Sequence, residues 1–341
     1  MMGALLTVED LSVTFHMERG DVLALDGVDF TVREGETVCL VGESGSGKTV
    51  GCEAITRLLP SPPAAIEGTV TFDGRDLTTA SEDDLNGVRG SRIAHVFQNP
   101  QGALDPVYTV GEQIVEAIEL HSDVPAETAR RRAIDLLDRV GIPDPATRID
   151  EYPHEFSGGM KQRVVIAIAL AADPDLLVAD EPTTALDVTT QAEILDLLAD
   201  LQDERDVAVL FVTHDLGIVA DIADRVVVLY AGHVMERGPI EDIFDRPAHP
   251  YTKALLDSLP AAHDDPTPIG GSLPDPRDPP DGCRFHPRCP HAVADCSTAA
   301  RPAVQAVDDD HEVACVYYDD GHDEGALPWR GTGQPTPEGS E

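Results

Sequence analysis

The chain is 341 residues long and carries 63 acidic against 24 basic side chains, a formal net charge of −39. Such a field repels polyanions, which excludes nonspecific nucleic-acid binding and charge-driven docking on anionic lipid. Hydrophobic residues make up 42% of the sequence, enough for a packed core where a merely acidic polymer would stay disordered.

The N-terminal run, Met1 to Val13, lacks the basic start and the apolar stretch of a secretion signal. The longest apolar run, Val164–Ala172, is far short of the ~20 residues that span a bilayer. Both observations predict a cytoplasmic protein. Thr37–Val41 is the first continuous, mostly apolar run of the kind that a parallel sheet buries on both faces. It leads into Gly42-Glu43-Ser44-Gly45-Ser46-Gly47-Lys48-Thr49, which fits the phosphate-loop pattern G-x-x-x-x-G-K-[ST]. The glycines let backbone N–H groups turn inward around phosphate oxygens, and a helix N-terminus adds its positive end. Lys48 supplies a point charge, and Thr49 a hydroxyl ligand for magnesium. A helical pattern runs on from Lys48 to Leu59 and stops at Pro60.

Residues from about 100 to 172 are mostly helical in pattern, which predicts a helical insertion. Within it, Ser157, Gly158 and Gly159 open a helix predicted from Met160 to Ala172. A small hydroxyl, bare backbone and a helix start make a second anion-binding end, although an ordinary serine cap has the same signature. The apolar strand Leu176–Ala179 then ends in Asp180 and Glu181. Ligands of open α/β sheets bind at the carboxyl ends of strands, so Asp180 is placed to hold magnesium. Glu181 is placed to polarise a water or take its proton. Val188–Glu204 carries Ile194, Leu197, Leu198 and Leu201 on one helical face. The runs Val207–Val212 and Val226–Tyr230 complete the strands. Strand–helix alternation predicts an α/β domain.

Composition changes near residue 260: thirteen of the 27 prolines and four of the six cysteines lie in the last 82 residues, from Pro260 on. Six cysteines in a chain of this length are not a secreted disulfide framework. Cys39 and Cys52 read as small packing residues. Cys283, Cys289, Cys296 and Cys315 fall in one short Pro-rich segment that has little core of its own, where a metal staple is a common solution. An iron–sulfur cluster, tetrahedral zinc, or four unbound thiols are the alternatives, with His286, His291 and His311 as further ligands. No C-x-x-C spacing is present. Gly321–Glu341 is Gly/Pro-rich and predicts a disordered tail. Finally, the lysines are Lys48, Lys161 and Lys253, and the other basic residues are arginine. An acidic excess with so little lysine reads as adaptation to a salty interior, as in a halophilic archaeal host.

Taken in order, these motifs resemble the ATP-binding subunit of ABC transporters over about residues 5–318. The resemblance implies a P-loop NTPase fold of α/β class, with a mixed sheet core in an ATP-binding domain at 1–258, a helical subdomain at about 100–172, a small Cys/Pro-rich extension at 259–320 and a tail at 321–341. It implies that Ser157, Gly158 and Gly159 bind the γ-phosphate of nucleotide held by a partner subunit. Gln98, in Phe97-Gln98-Asn99-Pro100, then touches magnesium and senses a transmembrane subunit. Ala185-Leu186-Asp187 crosses a dimer interface, His214 contacts the γ-phosphate, and Phe15 stacks on adenine unless it is a core residue. The catalytic set so implied is Glu181, His214 and Gln98, with magnesium on Thr49, Gln98 and Asp180.

The signature departs from the usual Leu-Ser-Gly-Gly-Gln in having Phe156 and Met160 at its ends. The oligopeptide/dipeptide importer branch tolerates both. The runs from Asn99 to Pro106, from His249 to Leu256 and from Cys283 to Pro290 also look like that branch. The implied function is ATP hydrolysis that powers peptide import. The implied partners are a second, different ATPase subunit, two permeases and, indirectly, an external solute-binding protein. Importers of nickel or another small solute share much of the pattern. A non-transport ABC ATPase is disfavoured by the single cassette, the lack of a coiled coil and the acidity.

Overall fold

The computed structural model describes residues 3–98, 100–184, 186–259, 268–298 and 300–330. Asn99, Ala185 and the tail from 331 lie outside the described residues. In chain order the strands are β1 (Ala4–Met17), β2 (Gly20–Arg33), β3 (Thr37–Val41), β4 (Ala64–Phe72), β5 (Arg75–Asp76), β6 (Ile93–Val96), β7 (Leu176–Asp180), β8 (Ala208–Thr213), β9 (Arg225–Tyr230), β10 (His233–Pro239), β11 (Gln305–Asp308) and β12 (His311–Val313). They form a four-stranded sheet, β2-β1-β4-β5, and an eight-stranded sheet, β11-β12-β10-β9-β3-β8-β7-β6. The small sheet is antiparallel throughout. In the large one, β9, β3, β8, β7 and β6 run parallel, and β10, β12 and β11 extend it antiparallel beyond β9.

Alternation along the central strands builds two cores, one on each face of the large sheet. Val38, Leu40, Val178, Leu210, Val212 and Leu229 face the small antiparallel sheet and the helix Lys48–Ile55. Cys39, Val41, Ala179, Phe211, Val228 and Tyr230 face the remaining helices, including Val110–His121, Ala126–Arg139, Gly158–Ala169 and Val188–Arg205. Each fully buried Val or Leu contributes about 1.5–3 kcal/mol relative to exposure, and both faces of these strands are filled. This is why they read as continuous apolar runs.

Several expectations are corrected. The phosphate-loop helix ends at Ile55, four residues before Leu59. Arg57 takes φ +53°, and Arg89 donates to the carbonyls of Thr56 and Arg57, so a side chain from another element closes this helix. The helix opened by Ser157 ends at Ala169, with Asp173 at φ +52° just beyond. The long N-terminal strands β1 and β2 were not expected. Bulges between Val8 and Leu11 and between Leu11 and Val13, with Asp10 at φ +51°, break the alternation that would have revealed β1.

The Pro-rich extension is built into the cassette. Its hairpin β11–β12 adds to the edge strand β10, with Glu236 opposite Val313. Phe285 is fully buried against Tyr230 and Tyr251, and Cys283, Cys296 and Val316 join the same core as the central strands. The expected disorder of the tail fails for its first ten residues. Leu327 is fully buried, and the Trp329 indole N–H donates to the Pro247 carbonyl at 2.8 Å. Among the described residues, no helix is long and apolar enough to cross a membrane.

Candidate functional site

Strand β3 delivers the chain to a loop whose glycines are needed for space. A Cβ at Gly42 would sit 2.1 Å from the Leu229 carbonyl oxygen, and one at Gly47, with φ +105°, would sit 2.7 Å from the Ala24 carbonyl. Gly47 caps the helix Lys48–Ile55, so the loop's N–H groups and the helix end share one concavity. Lys48 is buried and rests its ammonium on the carbonyls of Gly42 (2.7 Å) and Glu43 (3.0 Å). Burial pushes its pKa below the ordinary lysine value, while Glu181 and Asp180 pull it back. The Ser46 hydroxyl is buried without a partner among the protein atoms.

Asp180 ends β7 directly behind this loop. Burial raises its carboxyl above the ordinary value against the pull of a hydrogen bond from Thr49. One oxygen, Oδ1, is buried and unpartnered. A hard cation takes oxygen ligands of this kind, and Thr49, Asp180 and Gln98 would hold magnesium here. The donor set therefore fits the metal that the sequence implies.

Glu181 follows in the left-handed region at φ +45°, a conformation that costs of order 1–3 kcal/mol outside glycine and is typical of functional sites. Its backbone N–H donates to the Val212 carbonyl of β8, which fixes the turn. Three side chains converge on its carboxylate. Gln98 Nε2 donates to Oε2 at 2.9 Å, Thr184 Oγ1 donates to the same oxygen at 2.8 Å, and His214 Nδ1 lies 3.1 Å from Oε1. Gln98 comes from the end of β6 and His214 from the end of β8, so three neighbouring strand ends meet at one carboxylate. Burial alone would raise the Glu181 carboxyl, but the hydrogen bonds from His214 and Thr184, with the charge of Lys48, hold it below the ordinary value. The result is an ionised carboxylate aimed at the rim of the phosphate loop.

A cleft of about 340 Å³ joins these parts. Ser44, Gly45, Gly47, Lys48, Thr49, Gln98 and Glu181 line it, and so does Phe15. Ser157, Gly158 and Gly159 do not line it. Ser157 caps its own helix by accepting from the Met160 N–H, and Gly159 abuts Thr190, whose N–H bonds Asp187. The structure thus gathers the phosphate loop, Asp180, Glu181, Gln98 and His214, and leaves the Ser-Gly-Gly end facing elsewhere.

Two features escaped the sequence reading. Extension residues 273–276, together with Pro279 and Arg284, line the same cleft as Phe15. Arg288 also bonds Glu43 inside the phosphate loop. Nothing local in the sequence signals either, beyond the proline content of that stretch.

The four late cysteines are free thiols, three of them buried and Cys289 half-buried. Burial, with the nearness of the other thiols, pushes Cys283 and Cys315 up to about 12 and Cys289 up to about 11. The field of all three other cysteines is felt at Cys315, so the four face a common space. No three of their sulfurs lie within 4.8 Å of one another, which is wider than the about 3.8 Å edge of a tetrahedral thiolate zinc site. Of the histidines expected as further ligands, His311 bonds Glu236 at 2.8 Å and His286 bonds the Cys283 carbonyl; His249, which was not among them, stands 3.9 Å from the Cys283 sulfur.

Comparison with known proteins gives a consistent picture. The family profile "ABC transporter" matches residues 25–184, and "Oligopeptide/dipeptide transporter, C-terminal region" matches 235–296. A putative peptide import ATP-binding protein of Brucella abortus is 52% identical over 296 residues, 86% of this chain and 89% of that protein. The oligopeptide transport ATP-binding protein OppD of Bacillus subtilis is 48% identical over 91% of this chain and 87% of its own length. The dipeptide transport ATP-binding protein DppD of Escherichia coli is 47% identical over 92% and 97%. A solved dimeric bacterial ABC transporter cassette superposes with a TM-score of 0.62 at 32% identity, over 69% of this chain and 98% of that one. These relatives are bacterial and lend no support to an archaeal, halophilic host, which rests on the charge alone.

Proposed function

The chain belongs to the ABC transporter family, and on that premise we propose that it is the ATP-hydrolysing subunit of a peptide importer, held at the cytoplasmic face of a membrane by docking on permease subunits. ATP binding with magnesium, and ATP hydrolysis, come with family membership. Similarity to OppD and DppD over nearly the whole chain supports peptides as cargo. The single observation that carries the mechanism is the convergence of Gln98, Thr184 and His214 on Glu181 at the rim of the phosphate loop.

The phosphates of ATP lie along Gly42–Thr49, where N–H groups, the helix end and Lys48 offset their charge. Magnesium, when bound, supplies further positive charge to the phosphate oxygens. Glu181, held ionised, orients the attacking water and takes up its proton, while Gln98 and His214 fix the carboxylate and face the γ-phosphate. Phe15 takes the adenine face. Ser157–Gly159 serve the nucleotide of a second ATPase subunit docked head to tail, a reading supported by their absence from this chain's own cleft and by the dimeric cassette it resembles. That partner is a different chain. Leu186 and Asp187 lie at the dimer seam. Gln98 and the helical stretch 100–172 pass closure to the permease, and an external binding protein selects the solute. Residues 1–258 act as the ATPase domain, with 259–320 as its extension. The four cysteines would hold a [4Fe–4S] cluster, with zinc as the alternative. Absorbance near the visible thiolate–iron bands together with elemental iron on anaerobically prepared protein tests this, and absence of stoichiometric metal refutes it.

Uptake of labelled di- and oligopeptides in a strain lacking this gene tests the cargo. Peptide uptake is lost and returns with the gene; loss of nickel uptake instead points to the other importer branch.

A further inference from the structure

Part of the nucleotide cleft is lined by two parts of the chain that are distant in sequence. The first part supplies Phe15, Val22, Leu23 and Ala24 to the lining, and the second supplies Leu273, Pro274, Pro276 and Pro279. The second wall is pinned to the first, because the Leu23 N–H donates to the Pro276 carbonyl at 3.1 Å. Arg284 adds a second tie through Asp26 at 2.6 Å. Both sides are mainly apolar, and prolines hold the second in a shape with little entropy to lose. A planar aromatic base with its ribose is the part of a nucleotide that such a slot accepts.

The same extension reaches the phosphate end. Glu43 places a carboxylate inside a loop that must take a polyphosphate. Arg288, its side chain 6% exposed, donates through one nitrogen to both Glu43 oxygens at 3.0 and 3.1 Å and to the Tyr230 hydroxyl at 3.2 Å. Its Nε donates to the Gly270 carbonyl at 2.7 Å, next to the slot wall. The Glu43 N–H donates to the Tyr251 hydroxyl, and the Glu43 carbonyl is one of the two that hold Lys48. Arg288 therefore neutralises the one acid of the loop and fixes the residue on which the phosphate-binding lysine rests.

We propose that the C-terminal extension is part of the nucleotide site of its own chain: Leu273–Pro279 form the wall that takes the base and ribose, and Arg288 is a positioning residue that holds and neutralises Glu43 so that the loop accepts phosphate. This rests on the ATPase reading. The test is calorimetric titration of the full chain with magnesium ADP and, separately, with magnesium pyrophosphate, which has no base. Leu273→Ala, at a half-buried position, weakens ADP about fivefold and leaves pyrophosphate unchanged. Arg288→Ala weakens both by tenfold or more, and adding Glu43→Gln restores most of the loss, a rescue that a purely structural role for Arg288 would not give. Wild-type ADP affinity in Leu273→Ala overturns the wall. Wild-type affinities in Arg288→Ala, or no rescue by Glu43→Gln, overturn the positioning role. If Arg288→Ala does not fold, Leu273→Ala still decides the wall, and Arg288→Lys, which keeps the charge but loses the fork, is expected to bind both ligands more weakly than wild type. Failure of the unmodified chain to bind ADP at all would instead sink the ATPase reading itself.

Discussion

At the scale of single residues, Glu181 is a carboxylate fixed by three neighbours, held ionised by its hydrogen bonds and placed at the mouth of the phosphate loop. Glu181→Gln keeps the shape and removes the charge. We expect it to bind ATP as before, to lose hydrolysis by about a hundredfold or more, and to accumulate as a closed pair with the partner subunit on gel filtration with ATP. Unchanged turnover would remove Glu181 as the base. The glycines divide in a similar way. Gly42→Ala drives a Cβ into the Leu229 backbone, whereas Gly45 at φ +85° opens onto empty space. The first variant loses ADP-induced thermal stabilisation, and the second keeps it at the expense of about 1–2 kcal/mol of backbone strain. Equal melting shifts with ADP would contradict this. Most of this site was legible in the sequence, because a phosphate loop and a strand ending in two acids are local patterns. The Arg288–Glu43 pair was not, since its members stand 245 residues apart and neither lies in a pattern that requires the other.

Legibility changes at the scale of elements. Strands β3, β7, β8 and β9 were readable because both faces are buried, which leaves no polar alternation to confuse with a helix. The antiparallel strands were missed where bulges shift the register, and β11 and β12 were missed because they are three or four residues long and take their order from pairing with β10. Helix ends were misplaced where a side chain from elsewhere supplies the cap, as Arg89 does. The helix Pro250–Asp257 offers a measurable case. Its cap, His249, is 1% exposed, and its Nδ1 accepts from the Tyr251 N–H. Burial pushes His249 down to about 3. The unfolded chain therefore takes up this proton first as pH falls below about 6.5. Stability is full above that value and declines as pH drops toward the folded-state value. This group alone should cost roughly 2–3 kcal/mol between pH 7 and 4.5. Urea unfolding across that range should show the slope. His249→Asn, which can still cap the helix, should be weaker at pH 7 yet flatter with pH, and an unchanged slope would count against the assignment.

For the whole molecule, the charge of −39 is distributed over a surface with few lysines, and the nucleotide site is assembled in spite of it from helix ends, one lysine and one neutralised glutamate. If the acidity is tuned to a salty interior, screening should relieve self-repulsion, since the Debye length shrinks from about 10 Å at 0.1 M to about 3 Å at 1 M salt. The melting temperature should then climb by several degrees between low and molar KCl, and highest stability at low salt would refute the idea. A break in composition is not a break in packing: it marks where proline and cysteine accumulate, yet the side chains of the extension enter the same core as the central strands. The seam it makes has a practical side. Trp329 is the only tryptophan in the chain, and its indole is seated between the Pro247 carbonyl and the His291 ring. Under excitation selective for tryptophan, the entire protein emits from that one junction of cassette, extension and tail. A shift of the extension on nucleotide uptake would appear as a change in colour or intensity of native light, with no dye attached and no residue replaced.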